Sequence, residues 1–235
     1  MEPTDATATA TVDSPAPSVD WVDIVATVVM AIAALLTAWS AFQSDQWSDT
    51  MSFSLSEAAA ARTESARSYA RAGQLSQVDV MTFIAWLEAA RREYISGGID
   101  VSDGYQPDPV THSGILYVRF GPGFRSAMDS WLETGPLSTP DAPANPFVMA
   151  EYQLPEAAEA ERLAQLADDK VAGARAADEV DDQYVLSTVM FAGIFLFAGL
   201  STKMRPRAPQ FIMLGFSLLL LITGAGYLLA VPIQV

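Results

Sequence analysis

Three long apolar runs dominate this sequence. They extend from Ile24 to Phe42, from Tyr184 to Leu200 and from Phe211 to Val231. A helix rises about 1.5 Å per residue, so each run reaches or nearly reaches the ~30 Å thickness of a bilayer's hydrocarbon core. The sequence therefore predicts a mainly α-helical integral membrane protein with three transmembrane helices.

The polar segment between the first two runs is long enough to form a domain of its own. No proline occurs between Pro17 and Pro107, so no proline interrupts a helix that continues past the first run. Small and apolar residues keep three- and four-residue spacing at both ends of the segment, which predicts a long stalk made of an antiparallel helix pair. We predict a disordered tail at 1–18, followed within 19–75 by a first transmembrane helix (24–42) that continues into a stalk helix. A small, mostly helical extramembrane cap is predicted at 76–154 and a returning stalk helix at 155–183. The second and third transmembrane helices are predicted at 184–231, with a basic loop between them at 201–208.

Local signals predict the ends of the individual elements. Gly73 predicts the end of the first long helix, and Ser76, with an acidic residue three positions later, resembles a capping box that opens a second helix. The stretch at 115–120 is expected to be extended, and Pro122 to Glu133 suits a short helix with an apolar face. Pro155 suits the first turn of the returning helix.

The orientation follows from the charges in the short loop between the last two runs. Lys203, Arg205 and Arg207 lie in this loop, and it contains no acidic residue. Short loops rich in Lys and Arg stay in the cytoplasm, which makes these three residues the topology determinants. With three spans, the N-terminus is expected in the cytoplasm and the large domain at 43–183 outside it, in a multi-pass protein of the cytoplasmic (inner) membrane.

The charge and the amino-acid composition argue against several classes of function for that domain. The formal charge of the chain is −15, and residues 43–183 contain 10 basic and 23 acidic side chains. Such a surface repels nucleic acid, so no nucleic-acid partner is expected. Cysteine is absent, which excludes disulfides and thiolate metal sites, and the single histidine, His112, cannot build a zinc site alone. With no nucleophile motif or phosphate-binding loop either, we expect no enzyme activity, no catalytic residue, no metal and no cofactor.

Polar residues cluster at the end of the first apolar run. Thr37, Ser40 and Gln43 share a helical face, and Asp45 lies near the predicted outer boundary. In a symmetric oligomer this face would line a pore, with Asp45 as an acidic ring at its mouth. The alternative is structural, because Ser and Thr in membrane helices commonly bind neighbouring backbones or helices. The structural interpretation is favoured, since no charged residue lies deep in any run.

Several segments together resemble a known type of protein. The run Ala38-Trp-Ser-Ala-Phe-Gln-Ser-Asp-Gln-Trp47, the Ala/Arg/Glu-rich helix after it, Asp79–Trp86 and Ser201–Pro206 resemble uncharacterised three-span proteins of bacterial inner membranes. The resemblance covers most of the chain from Asp20 onward. It implies the three-span topology and supplies no site residue. Chemoreceptor sensing modules also place a helical bundle between two spans, but this chain departs from them by its third span.

The sequence thus predicts a non-enzymatic membrane protein that forms a homo-oligomer or a scaffold and presents an acidic helical domain outside the cytoplasm. Its partners are expected to be the lipid bilayer, further copies of the chain and a second membrane protein. One alternative is a small ion channel lined by the first transmembrane helix. Another is an extracytoplasmic module that senses a ligand.

Overall fold

The computed structural model describes residues 21–100, 104–136, 139 and 141–234, which are mainly helical and include no strand. The elements are, in order, α1 (Trp21–Ile95), α2 (His112–Val118), α3 (Pro122–Glu133), a 3₁₀ turn (Pro146–Val148), α4 (Pro155–Ser201) and α5 (Arg207–Leu228). Three of them, α1, α4 and α5, are long and apolar enough to cross a membrane, which confirms that part of the prediction. The tail predicted at 1–18 lies outside the described residues.

The first helix is longer than predicted. The expected end at Gly73 and the expected new start at Ser76 are wrong, because α1 continues without a break to Ile95. A glycine inside a helix costs about 1 kcal/mol relative to alanine. Ala72, Phe83 and Trp86 are all buried along α1, so packing continues past Gly73 and outweighs that local cost.

The segment predicted as extended at 115–120 mostly forms α2 instead. Thr111 caps this helix, because its hydroxyl oxygen accepts a hydrogen bond from the N–H of Gly114 at 3.1 Å. The carboxylate of Glu93 on α1 accepts two more, from the N–H of His112 at 2.8 Å and of Ser113 at 3.1 Å. These bonds satisfy the first N–H groups of the helix. The extended segment was predicted wrongly because Glu93, which accepts these hydrogen bonds, lies on α1 and is distant from α2 along the sequence.

The other predicted helices agree with the structure. The prediction that a short helix spans Pro122 to Glu133 is confirmed, with the proline in its first turn. The prediction that a helix begins at Pro155 and runs without a break into the second apolar run is also confirmed, since α4 ends at Ser201. Proline fits these starts because a first-turn N–H has no partner inside the helix.

The chain divides into two compact units, one of Met1–Met51 with Ala176–Val235 and one of Ser52–Arg175. In the first unit, parts of α1 and α4 pack with α5 around a buried apolar cluster of Val29, Ala33, Phe191, Ile194, Ala198 and Leu221. A Cβ added at Gly224 would lie 2.8 Å from Cε1 of Phe191. Glycine at this position therefore lets the phenylalanine ring lie directly against α5.

The second unit is built around an aromatic core. Its buried members are Phe83, Trp86, Ala90, Tyr105, Phe120, Phe124, Met128 and Trp131. Edge-to-face contacts connect the rings, for example Trp86 with Tyr105 at 5.1 Å and Phe120 with Phe124 at 4.9 Å between centroids. The indole N–H of Trp131 donates to the carbonyl of Pro143 at 2.7 Å, which attaches the segment before the 3₁₀ turn to this core.

Contacts between α1 and α4 complete the second unit. Ser65 donates its hydroxyl to the carbonyl of Ala160 at 2.7 Å. Three ion pairs connect the same two helices, namely Arg71–Glu156, Arg62–Asp168 and Glu57–Lys170. Small side chains are buried along both helices, among them Ala58, Ala61, Ala160 and Ala167. Ion pairs that solvent can reach contribute little, so we attribute most of the stabilisation here to the close packing of the small residues.

Candidate functional site

The four predicted pore-lining residues occupy different environments. Ser40 and Gln43 are completely buried within the first unit, Thr37 is half-buried and Asp45 is exposed. Thr37 donates its hydroxyl to the carbonyl of Ala33 one turn earlier, at 2.7 Å. The hydroxyl oxygen of Ser40 is buried and has no hydrogen-bond partner among the described residues. The structure thus brings Ser40 and Gln43 into the interior and leaves Asp45 on another side of α1.

Gln43 binds the backbone of Gln234. Its Nε2 donates to the carbonyl of Gln234, and the N–H of Gln234 donates to its Oε1, both at 3.0 Å. A neighbouring β-strand would make the same pair of bonds, so one side chain satisfies both backbone hydrogen-bonding groups of Gln234. Both ends of the Gln43 amide therefore have hydrogen-bond partners within the chain. That Gln43 lines a pore stays a prediction.

Further side chains hold the same terminal segment. The carbonyl of Pro232 accepts hydrogen bonds from the hydroxyl of Tyr184 at 2.9 Å and from the indole N–H of Trp47 at 3.3 Å. Thr50 donates to Oε1 of Gln234 at 3.2 Å. We call this set the C-terminal clamp: Gln43, Trp47 and Thr50 on α1, Tyr184 on α4, and the segment 231–234. Its sequence signal is weak, namely a glutamine just after the first apolar run and another just after the last.

Two of the topology determinants, Lys203 and Arg205, lie in the connection between α4 and α5, and the third, Arg207, is the first residue of α5. Lys203, Arg205 and Arg207 are all exposed. The N–H of Lys203 donates to the carbonyl of Leu200 at 3.1 Å, which closes the last turn of α4. The guanidinium and ammonium groups are therefore accessible to solvent.

A continuous surface on α1 in the second unit carries no charge. Its residues follow alternating spacings of four and three and are all exposed: Ala59, Thr63, Ala66, Ala70, Gly73, Gln77, Val80, Ile84 and Leu87. We call this set the exposed heptad face. The charged residues of α1 within the same stretch all lie off it, at Arg62, Glu64, Arg67, Arg71 and Asp79. Alternating four- and three-residue spacing is the pattern of a coiled-coil seam.

One groove in the second unit combines an apolar lining with a few polar groups. Its volume is about 580 Å³, and it lies between α1 and the starts of α3 and α4, with apolar lining from Leu75, Val78, Phe120 and Leu154. Asp79 also lines it and accepts a hydrogen bond from the hydroxyl of Tyr152 at 3.2 Å. Burial raises the pKa of Asp79, and the Tyr152 hydrogen bond offsets part of that rise. Sequence reasoning missed this site because its parts are distant along the chain.

The described ranges contain no group of three or more His, Cys, Asp or Glu side chains arranged to hold a metal ion. His112 contributes its backbone N–H to Glu93. No protein-family model, curated protein or solved structure matches this chain.

Proposed function

We propose that this chain is a non-enzymatic, three-span protein of the cytoplasmic membrane that works by binding other proteins through its acidic domain. The observation that carries the proposal is the exposed heptad face. Val80, Ile84 and Leu87 are 37%, 50% and 37% exposed, although the aromatic core lies on another side of the same helix. A charge-free surface that a folded unit leaves uncovered is typical of a protein–protein contact.

Membrane insertion is part of this proposal. In the first unit, large apolar side chains point away from the buried cluster, for example Leu35, Val189 and Ile222, which are 72%, 63% and 63% exposed. Water disfavours such surfaces on three helices at once, whereas lipid does not. The order of contacts between α1 and α4 in the second unit supports an antiparallel stalk, because residues 57, 62 and 71 pair with 170, 168 and 156.

The proposed orientation has a direct test, because the chain contains no cysteine. Single variants Ser126→Cys and Ala208→Cys place a thiol at an exposed position in the second unit and at the start of α5, next to the basic connection, respectively. With an impermeant maleimide on intact cells, Ser126→Cys should react, and Ala208→Cys should react only after lysis. The reverse result would place the domain in the cytoplasm and overturn the proposed location.

The interaction role needs a separate test. A photoreactive amino acid at Ala70, within the exposed heptad face, should form a covalent adduct with a protein when native membranes are illuminated. The same group at Ala85, which is exposed but off the face, is the matched control. If Ala70 gives no more adduct than Ala85, protein binding through this face is refuted.

The groove beside Asp79 favours a second candidate function, the binding of a small ligand. Its volume of about 580 Å³ is within the range of ligand sites, and its lining is mainly apolar with a few polar groups. Gly121 lines the groove, and a Cβ there would meet no atom within 4 Å, so the backbone has room for the side chain of Gly121→Leu to begin and add bulk to the lining. A small molecule that raises the unfolding temperature of the wild type, and not of Gly121→Leu, would support this function. A library that shifts neither protein would count against it.

A further inference from the structure

We propose that the exposed heptad face pairs two copies of this chain, in parallel and in register, as a two-stranded coiled coil between residues 59 and 87. The inference rests on the proposed function and names its partner, a second copy. Nine successive positions of alternating spacing are all exposed and all uncharged. The other side of α1 is already used, since Ala61, Ala72 and Trp86 are buried within the second unit.

The composition of the face changes along its length in a way that suits this pairing. Ala59, Ala66, Ala70 and Gly73 are small, so two helix backbones can approach closely there. A Cβ at Gly73 would meet no atom within 4 Å, which shows open space beside the helix. Farther along, Val80, Ile84 and Leu87 supply the branched apolar side chains that fill a coiled-coil interface. Arg91, at the next position of the pattern, ends the uncharged stretch.

The membrane favours a second copy in parallel over an antiparallel one. Two copies inserted in the same bilayer have the same orientation, and a two-fold axis normal to the membrane places each residue opposite itself. A face without charge tolerates self-contact. Gln77 opposite Gln77 can both donate and accept a hydrogen bond, and a single polar residue of this kind specifies register in coiled coils.

Charges beside the face are largely neutralised within each chain. Arg62 pairs with Asp168 at 3.4 Å, Arg67 with Glu64 at 3.0 Å and Arg71 with Glu156 at 4.0 Å. Repulsion between the arginines of two copies is therefore weakened. A strict seven-residue spacing drifts about 20° per heptad on a straight helix, so the paired helices would wind around each other with a left-handed twist.

Cysteine cross-linking tests the geometry, with Ala66→Cys and Gly73→Cys on the face and Ala85→Cys as the exposed control off the face. Mild oxidation of native membranes should convert the first two variants into covalent dimers of the 25.2 kDa chain. We expect roughly tenfold less dimer from Ala85→Cys, because a disulfide requires Cβ atoms about 4 Å apart. Adding Ile84→Asp to Ala66→Cys should lower its dimer yield several-fold, since like charges would then face each other.

The outcomes separate this inference from the function on which it rests. Equal cross-linking at all three positions, or none at the face positions, overturns the paired coiled coil. If the photoreactive group at Ala70 then still captures a protein of another mass, binding through the face stands and the partner is not a second copy. Loss of cross-linking in Ile84→Asp together with unchanged circular dichroism excludes unfolding as its cause.

Discussion

Gly114→Ala is expected to destabilise the second unit strongly, because the helix backbone there touches another backbone segment. A Cβ at this position would overlap the carbonyl oxygen of Asp108, and it would lie 2.5 Å and 2.9 Å from the carbonyl carbon and the nitrogen of that residue. Non-bonded contacts of a Cβ below about 3 Å are not tolerated, and backbone cannot rotate away as a side chain can. The segment at 108 or the start of α2 must therefore move by more than about 1 Å.

The size of the effect follows from the bonds that this movement breaks. The hydroxyl oxygen of Thr111 accepts from Gly114 itself, and the loss of such a cap costs about 1 kcal/mol. The carboxylate of Glu93 accepts from the N–H groups of His112 and Ser113, and hydrogen bonds to a charged group are worth about 1.5–3 kcal/mol. We therefore expect a loss of about 3 kcal/mol, or a fall in Tm of roughly 10 °C for a unit of this size.

The assay is thermal unfolding of the full chain in nanodiscs, followed by near-ultraviolet circular dichroism of the aromatic core. Gly173→Ala is the matched control, since it makes the same chemical change inside α4 where a Cβ meets nothing within 4 Å. That variant should be as stable as the wild type or up to about 1 kcal/mol more stable. If Gly114→Ala unfolds at the wild-type temperature, the close approach at Asp108 does not exist in the folded protein.

Two further predictions concern hydrogen bonds to glutamine and glutamate. Gln43→Ala removes both hydrogen bonds to Gln234 at the C-terminal clamp, so hydrogen exchange of the Gln234 amide should become roughly tenfold faster. An unchanged exchange rate would show that the clamp does not hold the segment. Burial by itself would raise the pKa of Glu93, but hydrogen bonds from Ser113 and His112 lower it below its ordinary 4.5. The stabilisation from the Glu93 carboxylate is therefore present above about pH 4.5 and lost as the pH falls through the lowered pKa of the folded state. In Glu93→Gln, the unfolding temperature should no longer show this part of the fall in acid. An equal fall in both proteins would contradict the assignment.

Most of the helical framework was predictable from local patterns. The three apolar runs identify the helices long enough to cross a bilayer, because that property depends only on composition and length. Pro122 and Pro155 predict two helix starts, since proline at a first turn leaves no bond unmade. The position and charge of the basic connection are also visible in the sequence, and the exposed side chains of Lys203 and its neighbours agree with it.

Tertiary contacts decided what local signals misjudged. Gly73 predicts a helix end, yet α1 continues because burial of residues on both sides of it outweighs the propensity of one glycine. The α2 helix forms where an extended segment was predicted, because the carboxylate of Glu93 reaches its first N–H groups from a different helix. The C-terminal clamp joins Gln43 to Gln234, which are 191 positions apart. The sequence alone specifies the long apolar helices and the helix starts that proline marks. Only the folded chain brings distant polar groups within hydrogen-bonding distance and determines which face of α1 remains uncovered.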